Sequence, residues 1–427
     1  MKNFLKKVLR IFSPLYRKTD DMLVDLHSLR EELFYFESQT KRREECILDT
    51  IEIYNELPLI LKKWEDLKNG SDRVYDKKDL PLLLFRYAYR YQANITNIGD
   101  NVQTLAAWNA LKNVFDEDIS SRIRYIDRDE LSCYSGEPAL CVMQGWFSRS
   151  NAFWPSPRII PVFAATHFNS HAQRFIRKLF TFAPEMRQAY EIGCRDLATL
   201  NFCRSLGMKA YFSRCFTLTL PKRQKTPAQK KVFLVDVPDE FLPYIPADIR
   251  KDAVRIWQRT YPFDADIYEQ DPMIYQKIAK ELYARYENEA TLLVTTAIHC
   301  AMPATAMGIP VVFIAPDADS KLRSSALINI LPQYSFDDLK NGEIDFSPVP
   351  PDIEPLKQLM YKNLKLSIAA SSGETIDRGE LELIRQKIAE YCCISDPVKI
   401  NAGTKEIDID RMMLDFDTQH ILNEKVY

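Results

Sequence analysis

Glycine is scarce in this chain, 11 in 427 residues, and no two glycines stand in a G-x-G pattern. That removes the tight phosphate-hugging turn of the usual dinucleotide site, and the lack of any G-K-[ST] step removes the P-loop. Hydride transfer and nucleoside triphosphate hydrolysis by those routes are disfavoured. The nine cysteines, at 46, 133, 141, 194, 203, 215, 300, 392 and 393, form no C-x-x-C pair. Several lie in apolar stretches, which suits reduced, packed thiols in a cytoplasmic protein and argues against a disulfide framework or a zinc site. Excess positive charge is missing too: the formal net charge is −2, so attraction of the whole molecule to nucleic acid is not indicated. No apolar run approaches the ~20 residues that span a bilayer. Lys6, Lys7 and Arg10 interrupt any signal-peptide core, so secretion is not expected.

What is present is a chain long enough for two domains and an extension, with 46% hydrophobic residues to fill their cores. Residues 1–19 carry six Lys/Arg and no acidic residue, interleaved with Phe4, Leu5, Val8, Leu9, Ile11, Phe12 and Leu15. A helix there would be basic and amphipathic, able to lie on an anionic membrane surface. A basic tail, or a helix docked on the protein, fits the pattern equally. From 20 to 69 a heptad places Leu26, Leu33, Ile47, Tyr54 and Leu61 on one set of positions and Met22, Leu29, Phe36, Leu57 and Trp64 on the other. Thr40, Arg43 and Thr50 interrupt it, and Pro58 is expected to end or kink a helix. A short coiled coil would make the chain a homo-oligomer; a helical hairpin packed on the body is the alternative.

The α/β portion begins near residue 80. Runs at 139–144, 159–168, 190–195 and 210–220 read as strands, separated by helical or loop segments. Residues 221–231, a polar stretch with two prolines, read as a linker. A fresh strand at 232–237 opens a second half, with a helical region to 289, a strand–helix–strand unit at 291–315, and helices at 320–331, 353–369 and 378–393. The organisation expected is thus 1–79 extension, 80–220 first Rossmann-like domain, 221–231 linker, 232–395 second Rossmann-like domain and 396–427 tail. Two such halves leave a cleft between them.

Three strand-to-helix junctions carry chemistry. At 291–315 an apolar run is followed by small helix-forming residues with His299 in the first turn, where unpaired amides and the helix dipole favour an anion. Ligands of such sheets bind beyond the carboxyl ends of the strands. Asn97-Ile-Gly-Asp-Asn-Val-Gln103 offers Asp100, which with Gln103 three residues on also makes a capping box. Cys194-Arg195-Asp196 offers a guanidinium, with Asp196 a natural N-cap and Arg195 equally able to pair with a surface carboxylate. His167 and His171 are four apart in a segment read as strand, where that spacing is no metal face.

Five segments in order, Asn97-Ile-Gly-Asp-Asn-Val-Gln103, Gln144-Gly-Trp-Phe147, Ile192-Gly-Cys-Arg-Asp196, Ala210-Tyr-Phe-Ser-Arg-Cys-Phe-Thr-Leu-Thr-Leu220 and Thr295-Thr-Ala-Ile-His-Cys-Ala-Met-Pro-Ala304, resemble the polysaccharide pyruvyl transferase family. The resemblance spans roughly 81–335. It implies a glycosyltransferase-B-like arrangement of two Rossmann-like domains and transfer of the enolpyruvyl unit of phosphoenolpyruvate to a sugar as a pyruvate ketal, with the acceptor a cell-surface polysaccharide or its precursor, lipid-linked acceptors included. No cofactor and no metal is implied, since Arg, His and backbone donors can hold the donor's phosphate and carboxylate. On this reading His299 transfers a proton or stabilises charge, Asp100 handles or orients an acceptor hydroxyl, and Arg195 clamps the donor. Asn97, Gly99, Gln103 and Thr296 line the substrate site.

One departure stands out. Many relatives read Ser-Arg-Leu-His before the histidine; here Ala297 holds the arginine's place. Arg214 or Arg323 is expected to supply the missing charge, or the donor site is weakened. The competing readings are a glycosyltransferase-B enzyme using a nucleotide sugar and a non-catalytic glycan-binding relative. The location expected is cytoplasmic, peripheral to the inner face of the membrane through residues 1–19.

Overall fold

The computed structural model describes residues 52–66, 80–87, 95–115, 118–148, 150–315 and 318–395, the side chains of 318–320 excepted. The chain divides into two compact units, Met1–Leu59 and Ile60–Tyr427. Of the first, residues 52–59 are described and are helical. The basic segment 1–19, most of the heptad pattern and the tail after 395 lie outside the described residues. The helix continues to 66, so Pro58 does not end it: a proline removes one amide donor, and the turns on either side carry the helix past it. Trp64, a heptad position, is buried, and its Nε1 donates to the Ser132 carbonyl at 3.3 Å.

The second unit contains two parallel sheets. Strands β1 (Leu82–Arg86), β3 (Ile123–Asp127), β4 (Ala139–Phe147), β5 (Ile159–Phe168), β6 (Ile192–Cys194) and β7 (Ala210–Phe212) form the first, in the order β3-β1-β4-β5-β6-β7. Strands β8 (Val232–Val235), β9 (Val254–Ile256), β11 (Leu292–Thr295) and β12 (Val311–Phe313) form the second, in the order β12-β11-β8-β9. The apolar runs without polar alternation are the central strands, because both faces are covered: Leu292–Thr295 is buried at every residue. Both sheets are of the Rossmann-like type. Residues 221–231, between them, contain neither helix nor strand.

Three expected elements differ. The strand read at 210–220 ends at Phe212, because Arg214 turns the backbone into the left-handed region (φ +58°) and a 3-10 turn, Phe216–Thr219, follows. The helical region read up to 289 is punctuated by Pro238, Pro243, Pro246, Pro262 and Pro272, and its one long helix starts only at Ile274. The helix read at 320–331 stops at Arg323 and gives way to a 3-10 turn, Ser325–Leu327.

Four helices build the site: α1 (Ile98–Val114), α2 (Leu197–Ser205), α3 (Ile274–Glu289) and α4 (Ile298–Ala306). The alanines of α1 (Ala106, Ala107, Ala110) and α4 (Ala301, Ala304, Ala306) are fully buried, and such small side chains let backbones approach. One apolar core runs through both halves, joining Leu82 and Leu84 of the first sheet to Phe233, Val235 and Leu293 of the second. The halves are also bonded directly. β2 (Ile95–Thr96) pairs antiparallel with β10 (Tyr261–Pro262), the Ile98 amide donates to the Gln258 carbonyl at 2.9 Å, and Gln276 Nε2 donates to the Phe85 carbonyl at 2.8 Å.

Candidate active site

The three chemistry-bearing junctions meet at one seam. Asn97 begins α1: its Oδ1 accepts from the Gly99 amide at 3.0 Å, so Asn97, not Asp100, is the N-cap. The capping-box reading of Asp100 is therefore corrected: with capping supplied by Asn97, its carboxylate bonds the side chains of Asn97 and Trp146. Asp100 Oδ1 lies 3.4 Å from His299 Nε2 and accepts from Asn97 Nδ2 at 3.2 Å. Asp100 Oδ2 accepts from Trp146 Nε1 at 2.8 Å.

Trp146 reaches Asp100 because the β4–β5 register slips. Met143 pairs with Phe163, yet Gly145 pairs with Thr166, so β5 carries one extra residue there. Ala165 (φ +60°) and Gly145 (φ +89°) absorb the irregularity, and such a bulge re-aims the side chains that follow it. Gly99 is required by proximity. A Cβ there would stand 2.9 Å from His299 Cβ and 3.0 Å from Gln258 Oε1, so only hydrogen lets α1 start against α4.

Arg195, 1% exposed, follows β6 and reaches across to α1, its Nη1 donating to Gln103 Oε1 at 3.4 Å. Its Nε bonds Asp196 Oδ2 at 3.3 Å. Asp196 is the N-cap of α2, accepting from the Thr199 amide at 2.9 Å, and it also bonds His167 Nδ1 at 2.7 Å. Burial alone would raise the Asp196 carboxyl, but His167, Arg195 and the Thr199 amide together hold it well below the ordinary carboxylate range. It is a fixed anion that orients both Arg195 and His167.

His299 is 5% exposed, and burial, reinforced by the charges of Arg195 and Arg323, pushes its imidazole well below its ordinary 6.5. Burial thus favours the uncharged ring. Its carbonyl accepts from the Tyr283 hydroxyl of α3, while its Nδ1 is buried and has no partner among the described residues. A neutral imidazole beside a carboxylate can take a proton from a hydroxyl and share the resulting positive charge with Asp100.

The remaining residues named from the sequence fall in different places. Thr296 follows β11; its Oγ1 donates to the Asp236 carbonyl and accepts from Arg259 Nη2 at 2.7 Å. Arg323 is exposed at the end of a short helix, Ala318–Arg323, and its charge acts on both His299 and His167. Arg214 is a correction. It is fully buried, and its five N–H groups go to the carbonyls of Ile388, Ala326, Ile328, Ala389 and Tyr391 at 2.8–3.2 Å. A guanidinium has only five donors, so none remains for a substrate anion. Its role is to seal the end of the helix Arg378–Ala389. Ala297, the N-cap of α4, makes no side-chain cap bond.

Sequence reasoning missed Trp146, His167 and Arg259. Trp146 sits inside a quoted motif, so its signal was available; the other two depend on a bulge and on the loop between Val254–Ile256 and Tyr261–Pro262. His167 and His171 part company, His171 Nε2 bonding Asn151 Oδ1 at 3.0 Å. Among the described residues there is no group of three or more His, Cys, Asp or Glu suited to a metal, and no helix is long and apolar enough to cross a membrane.

Parallel sheets whose strand ends converge on a buried imidazole–carboxylate pair and an arginine define an α/β protein with a candidate group-transfer site for an anionic ligand. Comparison with known families gives that class a family. The family described as "Polysaccharide pyruvyl transferase" matches residues 97–318, just over half of the chain, and the chain belongs to it. Its members are named as transferases. The match begins at the α1 N-cap and takes in Asp100, Arg195 and His299. No curated protein matches the chain. Among solved structures, the chain is similar to a functionally uncharacterized protein from Klebsiella pneumoniae at 14% identity and a TM-score of 0.36, over 64% of this chain and 93% of that one.

Proposed function

We propose that this protein transfers the enolpyruvyl unit of phosphoenolpyruvate to a saccharide as a cyclic ketal, in the synthesis of a cell-surface polysaccharide or its precursor. The observation that carries the reading is the convergence of Asp100, His299 and Arg195 on one seam. The overall change is phosphoenolpyruvate plus two sugar hydroxyls giving ketal plus phosphate. Two C–O bonds form at the donor's C2, the C2–O bond to phosphate breaks, and of the two hydroxyl protons one goes to the methylene carbon and one leaves with phosphate.

Each residue has a place in that balance. Arg195, pinned by Asp196 and Gln103, presents a planar cation suited to bidentate contact with phosphate or carboxylate. His299 accepts a hydroxyl proton, and Asp100, oriented by Trp146 and Asn97, stabilises the imidazolium that results. The amides opening α4 favour the donor's negative charge. Unfolding temperatures measured with phosphoenolpyruvate and with UDP- and GDP-sugars test the reading. Donor at ~100 times its dissociation constant adds about 2.7 kcal/mol. Stabilisation by a nucleotide sugar, with no response to phosphoenolpyruvate, would overturn it in favour of a sugar-nucleotide enzyme.

A further inference from the structure

With Arg214 committed to carbonyls, the cation serving the second half of the site has to come from elsewhere. Arg259 lies in the loop between β9 and β10, beyond the carboxyl end of the second sheet, which is where parallel sheets hold ligands. Its guanidinium is half exposed. Nη2 donates to Thr296 Oγ1 at 2.7 Å and Nε faces Asp236 Oδ2 at 3.3 Å. Nη1 has no partner among the described residues. The next residue back, Gln258, is buried and reaches Gly99, the residue against which His299 Cβ packs.

The loop is built to hold this geometry. Asp236 follows β8 with a left-handed backbone (φ +51°), a conformation that costs a non-glycine residue and persists only where its surroundings fix it. Its Oδ1 accepts from the Gln258 amide at 2.8 Å and the Arg259 amide at 3.4 Å. Thr296 in turn donates to the Asp236 carbonyl. Arg259 is thereby tethered on one side to Thr296, which precedes α4, and on the other to Asp236, which follows β8, with one edge of the fork left over.

We propose that Arg259 is the second cation of the donor site, binding the phosphate or carboxylate of phosphoenolpyruvate from the side opposite Arg195. The inference rests on the phosphoenolpyruvate reading and adds a residue to it. It accounts for a functional site with alanine at 297: the charge enters from beyond the end of β9, two strands across the sheet from β11, and reaches the same junction through Thr296.

The test is calorimetric titration of the full chain with phosphoenolpyruvate, with unfolding temperature recorded alongside. Arg259→Ala is expected to weaken binding about tenfold, the low end for a hydrogen bond to a charged group, as suits a half-exposed residue. Arg259→Lys is expected to fall between the two, since lysine keeps charge and loses the fork. Arg259→Gln, which can still bond Thr296, decides the matter should the alanine variant unfold, and is expected to bind as weakly as alanine. Arg195→Ala serves as the control. If Arg195→Ala abolishes binding while Arg259→Gln binds like the parent, the proposal is wrong and the donor reading stands. If the parent binds no phosphoenolpyruvate, both fall.

Discussion

Removing the Arg214 guanidinium is expected to destabilise the protein severely without touching donor affinity. Five hydrogen bonds to carbonyls, at ~1.5–3 kcal/mol each for a charged donor, would sum to an implausible total if they were additive. The surroundings relax and the bonds act as a unit, so the better guide is the ~3–5 kcal/mol lost when one member of a buried charged network is deleted. Two of the acceptors, Ile388 and Ala389, are last-turn carbonyls of the helix Arg378–Ala389, which no longer have a cation at the negative end of its dipole. We expect Arg214→Ala to lose ~4 kcal/mol and its melting temperature to fall by roughly 5 °C. Arg214→Lys should recover less than half, because three ammonium donors on a point charge cannot serve five acceptors in a plane. Urea midpoints and circular-dichroism melts measure this directly. A loss below ~1 kcal/mol, or a tenfold weaker affinity for phosphoenolpyruvate at unchanged stability, would refute the assignment of Arg214 to structure.

The other expectations follow from the same geometry. Asp100→Asn should keep the fold, since Asn97 does the capping, and lower turnover ~100-fold or more while donor affinity stays within a few-fold; phosphate release in the presence of acceptor measures it. His299→Gln should behave alike, and full activity in that variant would remove the imidazole from the chemistry. Gly99→Ala should cost ~1–3 kcal/mol, because its methyl would overlap His299 Cβ, and a melt indistinguishable from the parent would show that α1 and α4 are less tightly apposed than described. Stability should decline as pH is lowered through and below 6.5. His299 is held neutral in the folded chain while the unfolded chain takes up the proton first, so acid favours unfolding. His299→Gln should flatten that slope, and an unchanged slope would assign it to other groups.

Much of this was legible in one sequence because the junctions are local. An unalternating apolar run followed by small helix formers announces a covered strand and the start of a helix, and three such points held Asp100, Arg195 and His299. Their convergence was an expectation of α/β topology that the seam contacts now give a geometry. What was not legible is non-local. Arg214 looks like any strand-end arginine until five carbonyls from residues 326 to 391 are brought around it. His167 joins Asp196 only after β5 takes an extra residue, and alternation counting has no sign for a bulge. Arg259 was passed over because prolines broke its region into pieces too short for periodicity to register.

The short antiparallel pairing of Ile95–Thr96 with Tyr261–Pro262, together with the Ile98–Gln258 bond, has a kinetic consequence. Enzymes that open wide between two lobes spend part of each turnover on the swing, and a substrate must be caught before the lobes close. Here the segment that leads into Asp100 is riveted to residues 258–262 of the second half, beside the Asp100–His299 contact. On the proposed reaction, exchange of donor and product depends on side chains and loops at the rim, and the scattering profile of the protein in solution should be nearly the same with phosphoenolpyruvate bound and without it. On the proposed reaction, the cost of orienting Asp100 and His299 is met when the chain folds and is not repeated in each turnover.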